Sequence, residues 1–567
     1  MSDSFFNTGL YKIFEPKYKD IVGKPFITVS AKGIANGLSN IPNDGADFGP
    51  DTTLNATSPS QTGSPYTQTT GINEAISYAG SQGLGKIVFG EGTFYLTNYI
   101  SNPYSNMVFE GQGIHKTVIT NNPNKIYFPQ LIATGNFTAS QFIIEGMDII
   151  ANASSNPGTY IGLYLASNGT QHIVYKSCYF AAPGCEVGFV TGGVILNNAT
   201  PYNSGLYTAM PYDVSFIDCI FDGKSPYTSS PNFGSVMGVD IKFINCLFTS
   251  TEALSVGNPI VSYGLSRPNY DGPHYFIGCT FDTPNVPLII EQGYATTVMG
   301  CSFIGDASPW IHTYENIDYS SYEAPDIGIK IIGNEFSMSN NGSACISLIN
   351  SIGDKSVTII GNHFINTSSS ITQGSPQAFP VGINTYYSGP IAGIEITNNT
   401  FDNMGQGIWL DSNATSIGQI SHNIFNQSIA NSGSMSAIYY YSGGTGNYII
   451  KDNYNNGYST FFGGGGTSLT FLHIIEKNFG TGLPYVPSTP TVPASGTAQQ
   501  NTNRYAVNVY LYGGTVTEIQ ITKNGTANTV FSNASGLALS GQVYKLNPSD
   551  EITITYTTAP TWEWLSD

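Results

Sequence analysis

The chain has 567 residues, a formal net charge of −18 and only 10% charged side chains, against 13% aromatic ones. A nucleic-acid partner needs a basic face, and bare anionic membrane repels an acidic surface, so neither is an expected partner. The aromatic content and regular apolar alternation exclude disorder, and they leave hydrogen bonding and ring contact as the main surface chemistry, which suits carbohydrate.

Residues 1–41 match no repeat and read as an N-terminal attachment arm. They lack a basic start followed by an apolar core, so no signal peptide is expected. No apolar run approaches the roughly 18 residues of a membrane span, so no direct membrane insertion is expected. After a Gly/Pro/Ser/Thr-rich stretch over 42–70, GINEAISYAG at Gly71–Gly80 has helical apolar spacing and predicts a short helix capping one end of a stack. KIVFGEGTFYL at Lys86–Leu96 predicts a strand pair around a glycine turn. Asn106–Ile119 and Phe142–Asn152 read as the first coils.

A seven-residue phrase then returns again and again. It reads VYKSCYF at Val174–Phe180, SFIDCIF at Ser215–Phe221, KFINCLF at Lys242–Phe248, YFIGCTF at Tyr275–Phe281 and TVMGCSF at Thr297–Phe303. It continues as KIIGNEF at Lys330–Phe336, TIIGNHF at Thr358–Phe364, EITNNTF at Glu395–Phe401, QISHNIF at Gln419–Phe425 and a worn IIKDNYN at Ile449–Asn455. A fixed phrase with unequal gaps predicts stacked coils joined by variable loops, a solenoid. Residues 42–483 are assigned to it. A Pro-rich linker over 484–500 follows, and the strict alternation of 501–567 predicts a small antiparallel β-sandwich.

The fifth place is always Cys or Asn, and the seventh is Phe in all copies but the last. Stacked strands lie about 4.8 Å apart, so Cys178, Cys219, Cys246, Cys279 and Cys301 should form an internal column, and Asn334, Asn362, Asn399, Asn423 and Asn453 another. No paired close spacing such as CxxC occurs, so no metal and no cofactor is expected. Strand alternation puts places five, seven and three inside. Place two, apolar in every copy, then falls outside unless the strand bends before place five or a partner chain covers it.

An earlier strand in each coil reads GLYLAS at Gly162–Ser167, GIWLDS at Gly407–Ser412 and AIYYYS at Ala437–Ser442, joined in shifted register by PWIHTY at Pro309–Tyr314. With Leu163, Ile408 and Ile438 inside, Tyr164, Trp409 and Tyr439 point out, as does Trp310. Together with His312, Tyr314 and Tyr441 they are the candidate glycan-binding residues. The alternative is that these rings bury themselves under loops or between subunits. Candidate catalytic acids are Asp222 and Asp282 after the repeat Phe, Glu335 beside His363 on adjacent coils, and Glu291 and Asp411 on the aromatic-bearing strand. Glycoside hydrolysis needs a spaced pair of them. Asp222, Asp282 and Asp402 are equally ordinary turn formers in FDG, FDT and FDN. A polysaccharide lyase fits less well, since no D-x-x-D-D set surrounds Arg267.

NDGADFGPDTT at Asn43–Thr53, the short helix and GKIVFGEGTFYL at Gly85–Leu96 resemble the opening of pectate-lyase-like right-handed parallel β-helix proteins. The second acidic residue is displaced, and Phe89-Gly90-Glu91 stands where a Pro is common. NTNRYAVNVYLYGGTVTEIQITKNG at Asn501–Gly525 and LNPSDEITITYTTAPTWEW at Leu546–Trp564 resemble a module that ends tail-fibre and appendage proteins of phages and archaeal viruses. The resemblance implies an all-β, single-stranded right-handed parallel β-helix with a C-terminal β-module, serving as a virion tailspike or fibre. It further implies a homotrimer made in the host cytoplasm, bound to other virion proteins through its arm, and recognising host cell-surface polysaccharide or glycoprotein. A depolymerase and a purely architectural capsid or turret protein are the alternatives.

Overall fold

The structure is a computed structural model. It describes residues 26–31, 46–49, 69–96, 104–121, 140–151, 161–166, 171–181, 187–191, 212–222, 232–236, 239–249, 253–256, 273–282, 288–290, 296–305, 310–313, 328–338, 344–348, 355–369, 371, 380–385, 392–410, 417–429, 435–440, 447–464, 474–476, 478–480, 489–503 and 506–566. The chain divides into two compact units, residues 1–325 and 326–567.

Both units are built from the same coil. Each coil contributes one strand to a first parallel sheet, turns a corner into a short strand of a second, and passes on to a third. In the 1–325 unit one such coil is Tyr212–Ile217, Ile220–Asp222 and Asn232–Val236, and the next is Val239–Ile244, Leu247–Phe248 and Ala253–Val256. In the 326–567 unit, Ala392–Thr397, Thr400–Asp402 and Gln406–Leu410 stack on Ile417–Ser421, Ile424–Asn426 and Ser436–Tyr440 in the same way. This is an all-β, single-stranded parallel β-helix of the right-handed sense that parallel crossovers take.

The corner explains the apolar second place of the phrase. Place four is left-handed in every copy: Ser177, Asp218, Asn245, Gly278, Gly300, Gly333, Gly361, Asn398, His422 and Asp452 have φ between 50° and 66°. Only Gly and short polar residues adopt that conformation at small cost, which is why this place never holds a bulky apolar residue. The turn breaks the alternation between places three and five. Place two therefore points inward, as Phe216, Phe243, Ile359 and Ile396 do at 0% exposure. Place three, expected inside, lies on the outer side, and Ile217, Ile277, Ile332 and Ile360 are half-buried there.

The interior columns differ between units. In the 1–325 unit, place two is aromatic in four of the five copies, Val298 being the exception, and stacks face to face, with centroids of Tyr175, Phe216, Phe243 and Phe276 4.7–5.0 Å apart along the column. Phe180, Phe221, Phe248, Phe281 and Phe303 form a second stack at 4.6–4.9 Å. Between them runs the cysteine column, where Cys246 Sγ donates to the Phe216 carbonyl one coil back at 3.4 Å. Burial holds the Cys246 thiol well above its usual range. In the 326–567 unit, place two is Ile and place five is Asn. Asn362 Nδ2 donates to Asn399 Oδ1 and to the Ile331 carbonyl, each at 2.9 Å, and its Oδ1 accepts from the backbone N and Nδ2 of Asn334. The ladder repeats through Asn399, Asn423, Asn453 and Asn478.

The cap is an α-helix, Thr69–Ser81, whose Ile72, Ala75, Ile76 and Ala79 fall at i, i+3, i+4 and i+7 and are fully buried against the first coil. Two segments read otherwise from sequence belong to folded elements. Phe26–Val29, inside the presumed arm, pairs in parallel with Lys86–Phe89 and is the first rung of its sheet. Residues 489–500, inside the presumed linker, are built into the C-terminal module. There the Pro490 carbonyl accepts from Trp562 Nε1 at 2.6 Å, the Pro493 carbonyl accepts from the Tyr556 hydroxyl, and Ala498–Gln500 pairs with Glu551–Thr558. The module's central strand, Val507–Lys523, pairs antiparallel with Thr526–Leu546 along its length, with Glu551–Thr558 over its second half and with Thr561–Ser566 over its first. Val507, Val509, Leu511, Ile519, Ile554 and Trp564 fill its core.

Candidate functional site

The aromatic strip expected on the third sheet is not an exposed platform. Trp310 is 0% and Trp409 3% exposed. Trp409 does lie on the opposite side of its strand from Ile408. That outer side is itself covered, since every position of Gln406–Leu410 is buried, and the indole packs edge-on against Tyr439 at 5.4 Å. Alternation reports the side of a strand, not what lies above it. Tyr439 is half-buried and keeps some accessible surface. The strands carrying Tyr164 and His312 are in the third sheet as expected. Their side chains, and Tyr314, Tyr441, Glu291 and Asp411 entirely, lie outside the described residues.

On the outer face of the second sheet in the 1–325 unit, Asp222 and Asp282 occupy equivalent positions two rungs apart through Phe221, Phe248 and Phe281. At about 4.8 Å per rung their backbones are about 10 Å apart, too far for a retaining pair. Asp222 is also engaged: Tyr179 donates its hydroxyl to Oδ2 at 2.6 Å. Burial, then the hydrogen bond to Asp222, push the Tyr179 phenol well above its ordinary value. Two rungs earlier, the buried Asp148 carboxylate takes the His115 backbone N–H and holds its Nδ1 at 2.8 Å.

On the first sheet a cluster forms that the repeat phrase does not reveal. His172, Asp213 and Asp240 each have φ near 57° in successive rungs (57°, 54° and 61°), which aligns their side chains. His172 Nδ1 meets Asp213 Oδ2 at 2.5 Å, and Lys242 Nζ donates to Asp213 at 2.9 Å and Asp240 at 2.6 Å. Burial lowers the Lys242 ammonium, but the hydrogen bonds to Asp240 and Asp213 outweigh it and raise it overall. Both carboxylates are committed to one lysine, so this is an ion-pair cluster rather than an acid/base couple.

The most open arrangement is on the second sheet of the 326–567 unit. Glu335 and His363 sit on adjacent rungs, as expected from the phrase. The imidazole turns to Asp402, however, with Nε2 to Oδ2 at 2.6 Å. Asp402 Oδ1 also accepts from Asn426 Nδ2 at 2.8 Å, and Asn456 reaches Asn426 Oδ1 at 3.3 Å. On the same face of these strands, one column over, Ile424, Tyr454 and Phe479 stand in register and are 41%, 47% and 58% exposed. A strip of apolar surface thus runs beside a strip of amide and carboxylate groups. Neither strip was singled out from sequence, although Asp402 was noted and TFD, IFN and YNN at equivalent places carried the signal. Among the described residues no group of three or more His, Cys, Asp or Glu could hold a metal ion, and no helix is long and apolar enough to cross a membrane.

No family model and no curated protein matches the chain. Solved structures of the tailspike protein of E. coli bacteriophage HK620 are similar to it. A variant tailspike shares 11% identity, covering 88% of this chain and 91% of its own, with a TM-score of 0.49. The tailspike in complex with a pentasaccharide shares 12% identity over 88% and 91%, with a TM-score of 0.48. A further variant in complex with a hexasaccharide shares 11% over 89% and 90%, at 0.47. Likeness at this level assigns no residue a role.

Proposed function

We propose that the chain is a structural appendage of a virus, a tailspike or fibre, that recognises a host cell-surface glycan through the outer second-sheet face of its 326–567 unit. The observation that carries this reading is the exposed Ile424–Tyr454–Phe479 column running beside Asp402, Asn426 and Asn456. A pyranose offers an apolar ring face and a rim of hydroxyls. The first column supplies contact area and the second supplies donors and acceptors. A carboxylate in the strip and a chain charge of −18 favour an uncharged glycan over an anionic one. Tyr439, half-buried on the third sheet, is a further candidate contact. A position on the virion, attachment through the N-terminal segment to other virion proteins, and homotrimeric assembly complete the proposal.

The test is binding of the full chain to polysaccharide purified from the host surface. Tyr454→Ala combined with Asn456→Ala should weaken binding by about tenfold or more, the loss of about 1.4 kcal/mol, with the circular-dichroism spectrum unchanged. Unchanged affinity in that variant would remove the site. Release of oligosaccharide by the wild-type chain would turn the reading from recognition to depolymerisation.

A further inference from the structure

The hydrogen bonds on the second sheet of the 326–567 unit run in one direction, and that direction decides what a ligand there must offer. An ionised carboxylate accepts hydrogen bonds and donates none. Both oxygens of Asp402 are engaged, Oδ2 by His363 Nε2 at 2.6 Å and Oδ1 by Asn426 Nδ2 at 2.8 Å. The imidazole therefore carries a hydrogen on Nε2, and the Asn426 amide is held with its nitrogen toward Asp402. One rung further, Asn426 Oδ1 meets Asn456 Nδ2 at 3.3 Å. An oxygen needs a donor, so the Asn456 amide is turned the same way. Side chains from three coils thus give their hydrogens toward one carboxylate.

Asn456 ends the run. It is exposed, two residues after Tyr454 on the strand that pairs with Phe479–Gly480. One of its amide hydrogens is committed to Asn426, and its Oδ1 meets no protein donor among the described residues. A ligand laid against Tyr454 and Phe479 takes water away from that oxygen and must donate to it, because a covered acceptor left unpaired is costly. A free sugar hydroxyl donates to Oδ1 and accepts from the remaining N–H at once, whereas an O-acylated position only accepts. We propose that Asp402 is a positioning residue that sets the polarity of this run, so that the strip selects glycans with free hydroxyls over those in which they are O-acylated. The inference rests on the glycan reading of this face and adds the class of glycan to it. Asp402→Asn keeps the shape of the side chain and gives it a donor. The new amide can accept from His363 and donate to Asn426 Oδ1, which reverses the run and leaves both N–H groups of Asn456 for the ligand. A site in that state takes an acceptor-only group as readily as a hydroxyl.

The experiment measures binding of the full chain to two preparations of the host-surface polysaccharide, one stripped of O-acyl groups by mild alkali and one chemically O-acetylated in part. The wild type should bind the stripped form about tenfold more tightly, as a site built around a hydroxyl rejects a group that cannot replace it. In Asp402→Asn, with the circular-dichroism spectrum unchanged, that preference should shrink to about threefold or less. A variant that keeps the full preference overturns the proposal, because a bulky acetyl group excluded by shape alone would be excluded from both proteins. Should the variant not fold, the wild type decides: equal binding to the two preparations overturns this inference and leaves the glycan reading standing. Binding to neither overturns both.

Discussion

The two units wind the same coil around different interiors. In residues 1–325 the fifth place is a thiol flanked by two aromatic stacks, and the contacts are mostly dispersion between rings 4.6–5.0 Å apart. In residues 326–567 the fifth place is an amide that gives and takes hydrogen bonds up and down the column, beside Ile rather than a ring. The pairing of choices is physical. An aromatic at place two, present in all Cys copies but that of Cys301, fills the corner and leaves room for a small, weakly polar sulfur. A branched aliphatic leaves the corner to a planar amide, which must be fully satisfied because it is buried. One interior tolerates local loss, whereas the other is cooperative along the stack.

The largest expected difference follows directly. Asn399→Ala strips the backbone N–H and Nδ2 of buried Asn362 of their shared acceptor and takes one of two donors from Asn423 Oδ1, at about 1–3 kcal/mol for each buried polar group left unpaired. A loss of about 4 kcal/mol in denaturation free energy is expected. Cys246→Ala, at the equivalent place in the other unit, removes one small sulfur with weak bonds and should cost about 1 kcal/mol. Equal costs at the two sites would erase the distinction between the interiors.

The corner is common to both units and should be equally sensitive in each. Gly333 has φ 63° with open space where a Cβ would go, so Gly333→Val suffers from backbone strain alone, about 1–2 kcal/mol. Gly333→Asn, the residue found at Asn245 and Asn398, should cost less than half of that. If Val were tolerated as well as Asn in thermal melts, the left-handed turn would not be what winds the coil.

The smallest effect is a pH dependence on the outer face of the 1–325 unit. The folded-state value of Tyr179 is raised above its ordinary 10.0 by burial and the bond to Asp222. The stability it contributes is therefore present below about pH 10 and lost as pH rises toward the folded value. Tyr179→Phe should be less stable than wild type at neutral pH, and the gap should narrow above pH 10. A gap constant across that range would show that the hydroxyl bond is not formed.

Much of the coil could be read from the phrase: the period, the Cys and Asn columns and the Phe stack all follow from identical residues at fixed places. Ser177, Asp218 and Gly278 also stood at one place in plain view. Their shared property, a low cost for positive φ, is what turned place two inward, and counting alternation without it put Ile217 and Ile277 on the wrong side. The site was less legible. Trp310 and Trp409 drew notice as large aromatics on the outward side of a strand, but burial there depends on cover that no local pattern encodes. The exposed column of Ile424, Tyr454 and Phe479 is unremarkable in sequence, and becomes a surface only when three coils separated by unequal loops are set in register. His172, Asp213 and Lys242 stayed invisible for the same reason.

The measurement that bears most directly on this register is a double-mutant cycle between Asn362 and Asn399, residues 37 apart in sequence and joined side chain to side chain at 2.9 Å. Stacked coils predict that Asn362→Ala and Asn399→Ala are strongly non-additive, with a coupling of about 1–3 kcal/mol. Additive losses from the two substitutions would mean that these coils do not lie against each other, and would contradict the β-helix itself.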